Sequence, residues 1–149
     1  LEGLAEFYKM LVADYSLIYL EDPFSENDWD GWKKIAGDLS SKTLIVGDDL
    51  TATNPYRLQQ ALNAKVIGGM VIKPNQIGTI TEAIAVAEIA RYKGLKIIVS
   101  HRAGETEDDF LSDFAVGIDA DFAKLGAPAR ERIVKYNRLL EIEQELAQI

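Results

Sequence analysis

The sequence contains no cysteine. Disulfides, thiolate metal sites and cysteine nucleophiles are therefore excluded, and such usage fits a cytoplasmic protein. No apolar run approaches the roughly 20 residues that cross a bilayer, and the opening LEGLAEFYKM lacks a secretory signal pattern. Positive charge is scarce: 16 Lys and Arg stand against 24 Asp and Glu, a net charge of −8. That balance argues against nucleic acid and anionic membrane as partners. Glycine- or serine-rich linkers, low-complexity tracts and a glycine-rich phosphate fingerprint are all missing, and there is one histidine.

What remains is a chain of 149 residues, 48% apolar, long enough for one domain with a real core. Short apolar runs recur at residues 16–20, 43–46, 69–72 and 96–99, with a weaker one at 121–123. They are continuous, not alternating, and rich in Ile and Val, as parallel strands are when both faces are covered.

Helical patterns lie between them. Asn54 and Pro55 form a cap and first-turn pair for a helix over 56–64. A helix over 79–93 places Ile80, Ile84, Ala87 and Ile89 or Ala90 on an apolar face, with Gly94 as its terminator. Thr106 is expected to cap a helix reaching about Val116, with Glu107, Asp108 and Asp109 in the first turn. A closing helix over 130–147 carries a stripe of Ile133, Tyr136, Leu139, Leu140 and Ile142, and an opening helix spans about 2–15. The order is α, then βα five times.

The residues that end these strands are Glu21, Asp48, Lys73, His101 and Lys124, separated by 27, 25, 28 and 23 positions. Five ionisable groups at the same point of five βα units fall along one rim of a parallel sheet. In a (β/α) barrel that rim is the C-terminal face, where active sites lie. An open doubly wound sheet also binds ligands at its carboxyl edge. The regular spacing and the missing phosphate fingerprint favour the barrel, and five units are five-eighths of one.

Singly, each residue has a plain reading. Glu21 precedes a proline turn, Asp48 or its neighbour Asp49 could cap, His101 could be structural and Lys124 could line a loop. Together they suggest chemistry. Two carboxylates suit a hard divalent cation such as Mg²⁺. Two lysines and an arginine nearby suit an anionic substrate. A lysine at the end of a buried strand, Lys73, is expected to lose proton affinity by desolvation and serve as a base. Such a set removes a proton beside a carboxylate.

LEDPF, GDDLTATNP, IKPNQIGT, SHRAGETEDDF and KLGAPAR, in this order and spacing, resemble the C-terminal barrel region of enolase, across essentially the whole chain. The resemblance implies an α/β fold, the last five βα units of an enolase-type TIM-like barrel with parallel strands. It implies Mg²⁺-dependent dehydration of 2-phosphoglycerate to phosphoenolpyruvate, with a Lys or His base as in enolase-superfamily sites generally. Glu21 and Asp48 match two of three metal carboxylates, Lys73 the base, Lys124 a lysine on the substrate carboxylate, and His101 and Arg102 the substrate and phosphate contacts. The match spans residues 1–149 as the C-terminal part of the barrel domain. The lid domain, the first three strands, the third metal carboxylate and the acid machinery then lie outside it.

Two departures stand out: Ala103 replaces a family serine, and Leu125 a family threonine. The GAPARERIVKYN segment is also one residue short between Arg130 and Glu131. Unpaired edges are expected near residues 17–20 and 121–124, and with them a homo-oligomer or a complementing N-terminal segment. A non-catalytic, enolase-derived binding or assembly domain is the alternative, and another superfamily activity a third reading.

Overall fold

The computed structural model describes residues 2–148. Helix α1 (Glu2–Tyr15) leads into strand β1 (Tyr19–Glu21), followed by α2 (Trp29–Leu39), β2 (Leu44–Gly47), α3 (Pro55–Ala64) and β3 (Gly69–Ile72). A single turn, α4 (Pro74–Ile77), precedes α5 (Ile80–Tyr92), β4 (Lys96–Ser100), α6 (Phe110–Gly117), β5 (Phe122–Lys124) and α7 (Ile133–Leu146). All five strands are parallel, in the order β1-β2-β3-β4-β5. The α/β barrel-type fold expected from the sequence is what forms, and the chain's strands make a curled portion of such a barrel.

Strand alternation divides the core in two. Leu20, Ile45 and Leu50 pack outward against α1 and α2, with Trp32 and Ile35 fully buried there. Met70, Ile72, Ile97 and Val99 pack against α5 and α6. The opposite parity, Val46, Val71 and Ile98 with Tyr19 and Leu44, forms the concave interior. Both faces of the central strands are thus covered, which is why their sequences run apolar without interruption.

Local signals explain most boundaries. Asn54 Oδ1 accepts from the amides of Tyr56 and Arg57, and Pro55 opens α3. Thr79 Oγ1 accepts from the Glu82 amide to start α5, and Gly94, at φ 81°, ends it. Three expectations are corrected. Helix α6 begins at Phe110, not after Thr106, because the Thr106 hydroxyl instead accepts from the Asp108 amide and Asp108 from Phe110, closing local turns. The inner face of α5 is Ala83, Val86, Ala87 and Ala90, with Ile80 and Ile89 exposed; small side chains let the helix lie close over the sheet. In α7 only Ile142 and Lys135 are buried, while Ile133 and Leu140 remain exposed beyond the face packed on α6.

Both sheet ends are open among the described residues. Strand β1 pairs only with β2, and β5 only with β4. Ile18 beside β1 is 79% exposed and Phe122 in β5 is 47% exposed.

Candidate functional site

The rim residues separate into two groups. Glu21, Asp48, Lys73 and Lys124 come together above the concave interior. Lys73 Nζ donates to both Asp48 oxygens at 2.6 and 2.7 Å. Lys124 Nζ donates to Asp48 Oδ2 at 3.0 Å and to Glu21 Oε1. Parity explains the convergence: in the ladders Glu21 lies level with inward-facing Val46, and Lys124 with Ser100, two positions beyond inward-facing Ile98. Asp48 and Lys73 continue the inward parity of Val46 and Val71. His101 follows β4 with the opposite parity and lies outside this cluster.

The supporting contacts are specific. Asp22, at φ 41°, accepts from the amides of Asp48 and Asp49 at 2.9 and 2.7 Å, tying the end of β1 to the loop after β2. Burial raises the Asp22 carboxyl above its ordinary value, although those two amides oppose the shift. Fully buried Thr53, also left-handed at φ 53°, accepts from the Lys73 amide and donates to Gln76. Tyr19 donates to Glu21 Oε2 at 2.6 Å, and burial followed by that bond pushes its phenol well above the usual range. None of Asp22, Thr53 or Tyr19 was singled out from sequence. Only the position of Asp22 beside Glu21 offered a signal.

For Asp48, burial favours the neutral acid, but the hydrogen bonds from Lys73 and Lys124 outweigh it and hold the carboxyl below its ordinary value. For Lys124, burial opposes the charge, but Glu21 and Asp48 outweigh it and raise its affinity for the proton. The closest charged partner of Lys73 is the Asp48 carboxylate.

The donor chemistry fits a hard divalent cation. Two carboxylates converge on one point, already marked by a positive group, the Lys124 ammonium. Mg²⁺ commonly binds through one or two carboxylates and keeps several waters. Among the described residues no group of three His, Cys, Asp or Glu converges to hold a metal.

His101 and Arg102 border a separate cavity of about 260 Å³, together with Asn75, Ser100, Glu105 and Lys135. Arg102 Nη1 donates to Asn75 Oδ1 at 3.2 Å, leaving most of the exposed guanidinium fork free for an anion. Burial, with the Arg132 charge next, holds His101 below its ordinary value. Ala103 is exposed beside Arg102, while Leu125 is buried. The short loop before α7 closes with Arg130 at φ 51° and a 3-10 turn over Arg130–Arg132. Gly126, at φ 75°, takes a left-handed conformation that a side chain would strain, and a Cβ there would lie 2.7 Å from the Arg132 side chain and 3.2 Å from His101 Cε1, so these neighbours would have to shift.

Comparison with known proteins adds an independent line. The family described as "Enolase, C-terminal TIM barrel domain" matches residues 1–149. The chain is 52% identical over 146 residues to an enolase of Aeropyrum pernix, covering 97% of this chain and 34% of that protein. It is 52% identical over 143 residues to an enolase of Saccharolobus solfataricus, covering 95% and 34%. Against an enolase of Mycobacterium leprae it is 45% identical over 146 residues, covering 97% and 34%. The chain thus spans about a third of the length of the curated relatives it matches. No helix among the described residues is long and apolar enough to cross a membrane.

Proposed function

The chain belongs to the enolase family, and from that premise we propose that it forms part of a lyase converting 2-phosphoglycerate to phosphoenolpyruvate with Mg²⁺. A glycolytic, cytoplasmic setting goes with that reading. The observation that carries it is the convergence of Glu21, Asp48, Lys73 and Lys124 at one rim, with Arg102 and His101 beside it.

In the proposed reaction Lys73 Nζ takes the proton from C2 of the substrate. The electron pair of that C–H bond becomes the new double bond, and the C3–O bond breaks with its pair leaving on oxygen, which takes a proton from the acid of the complementing segment and departs as water. For this step the Lys73 amine must leave Asp48 and face the substrate. Lys124 would hold the substrate carboxylate, whose negative charge grows as the C2 proton departs. Arg102 would grip the phosphate by its fork, and His101 would line the same end. Glu21 and Asp48 would hold Mg²⁺, which when bound supplies positive charge against the carboxylate. Lys124 cannot stay between Glu21 and Asp48 while a divalent cation is seated there.

The five strands among the described residues make up part of a barrel of eight. We therefore assign the remaining strands, the third metal carboxylate and the acid that helps the 3-hydroxyl depart to a complementing segment docked on β1 and β5. The test is Mg²⁺-dependent formation of phosphoenolpyruvate by the chain joined to such a segment, against the chain alone and against a chelator control. Turnover only in the joined, metal-loaded protein is expected. No turnover in any arm would refute the reaction.

A non-catalytic assembly role is the second reading. It is favoured by one observation, the occupation of both candidate metal carboxylates by lysines. Appreciable turnover by the chain alone would eliminate it.

A further inference from the structure

Lys135, in the first turn of α7, is 1% exposed although it carries a charge. A buried ammonium is costly unless paired, and its partners all lie in one short segment. Lys135 Nζ donates to the Thr106 carbonyl at 2.9 Å and lies 3.6 Å from Glu105 Oε2. The Ser112 hydroxyl donates to the Lys135 carbonyl at 2.7 Å, fixing the backbone from which the side chain reaches out. Glu105 is itself largely buried, and its Oε2 is 3.9 Å from His101 Nδ1. That nitrogen is shut off from solvent with no hydrogen-bond partner among the described residues.

We propose that Glu105, held by Lys135, fixes His101 as the tautomer protonated at Nδ1, leaving Nε2 bare as an acceptor toward the cavity. Glu105 and Lys135 are then positioning residues for His101. A buried Nδ1 lone pair facing a carboxylate would be repelled, whereas an N–H facing it is attracted, and a hydrogen bond needs only a closure of under about 1 Å from 3.9 Å. Burial, with the Arg132 charge next, disfavours the doubly protonated ring, so the site selects between the two neutral tautomers. The competing donor is Arg132. Its Nε is also buried without a partner among the described residues and packs with His101 around Gly126. An Nε–H donated from Arg132 to Nδ1 would impose the opposite tautomer. The structure contains no such bond, and a carboxylate faces Nδ1 instead.

That the bare Nε2 accepts from a substrate rests on the enolase reading; the tautomer does not. His101 is the sole histidine, so long-range proton–nitrogen correlation on the ¹⁵N-labelled chain reports its ring without ambiguity. The expected spectrum has a protonated Nδ1 and a bare Nε2, against the preference of a free imidazole in water for Nε2–H. Glu105→Ala is expected to return the ring to Nε2–H, and Lys135→Met, of similar volume, to do the same. Finding Nε2–H in the unmodified chain overturns the proposal. So does a spectrum unchanged by Glu105→Ala. Nδ1–H persisting in Lys135→Met removes Lys135 from it. Because ring nitrogens and not turnover are read, failure here is distinct from failure of the enolase reading.

Discussion

Lys124 at the end of β5 donates a hydrogen bond to Glu21 at the end of β1, across 103 residues, although the two strands never pair. The sheet curls far enough for side chains from its opposite ends to meet over the interior. Lower down, the Tyr19 and Phe122 rings meet edge to face with centroids 6.4 Å apart. The same ammonium reaches Asp48, so it stands between the two carboxylates proposed to hold metal.

Removing that ammonium should open the place to a cation. Lys124→Met is expected to tighten binding of Mn²⁺, a paramagnetic stand-in for Mg²⁺, by about tenfold, or ~1.4 kcal/mol. It should weaken binding of the substrate carboxylate at the same time. Titration followed by electron paramagnetic resonance checks the first effect. Unchanged or weaker Mn²⁺ binding would place the cation elsewhere.

Asp121 makes a second prediction, on stability. Its carboxylate accepts from the Ile97 amide at 2.9 Å and pairs with Lys96, joining β4 to the start of β5. Burial opposes ionisation, but Lys96 and the Ile97 amide outweigh it, so the carboxyl lies below its ordinary value. A depressed folded-state value means stability that is present above the unfolded value of about 3.9 and lost as pH falls through the folded one. Asp121→Asn should therefore cost about 1 kcal/mol in urea unfolding at pH 7. Its difference from the unmodified chain should shrink as pH falls from about 3.9 through the lower folded-state value.

The open sheet ends make a third. The chain without a complement is expected to self-associate through the edges beside Ile18 and Phe122. Sedimentation should show species larger than a monomer. Placing a lysine at both positions, Ile18→Lys with Phe122→Lys, should raise the dissociation constant about tenfold or more. A monomer that stays monomeric at high concentration would show that the edges are already protected.

The strands and their rim were legible because buried parallel strands read as unbroken Ile and Val runs, each ending at an ionisable residue. The start of α6 was not, since the Thr106 hydroxyl can serve either a helix start or a local turn, and the turn prevailed. Lys135 was missed for a related reason. A lysine reads as surface, yet its spacing from Leu139 and Ile142 puts it on one helical face with them. The Lys73–Asp48 pair was illegible too, because its members are 25 residues apart and meet only through a shared inward parity. Sequence could place five charged groups on one rim. It could not say which carboxylate each lysine would choose.

The central claim is that Lys73 removes the C2 proton. The direct measurement is loss of deuterium from C2-deuterated 2-phosphoglycerate into water, catalysed by the complemented, Mg²⁺-loaded protein and by its Lys73→Ala variant. The account predicts ready exchange in the first and a fall of about 10²–10⁴ in the second, with phosphoglycerate still bound through Arg102 and Lys124. Exchange that survives Lys73→Ala at an undiminished rate would contradict it.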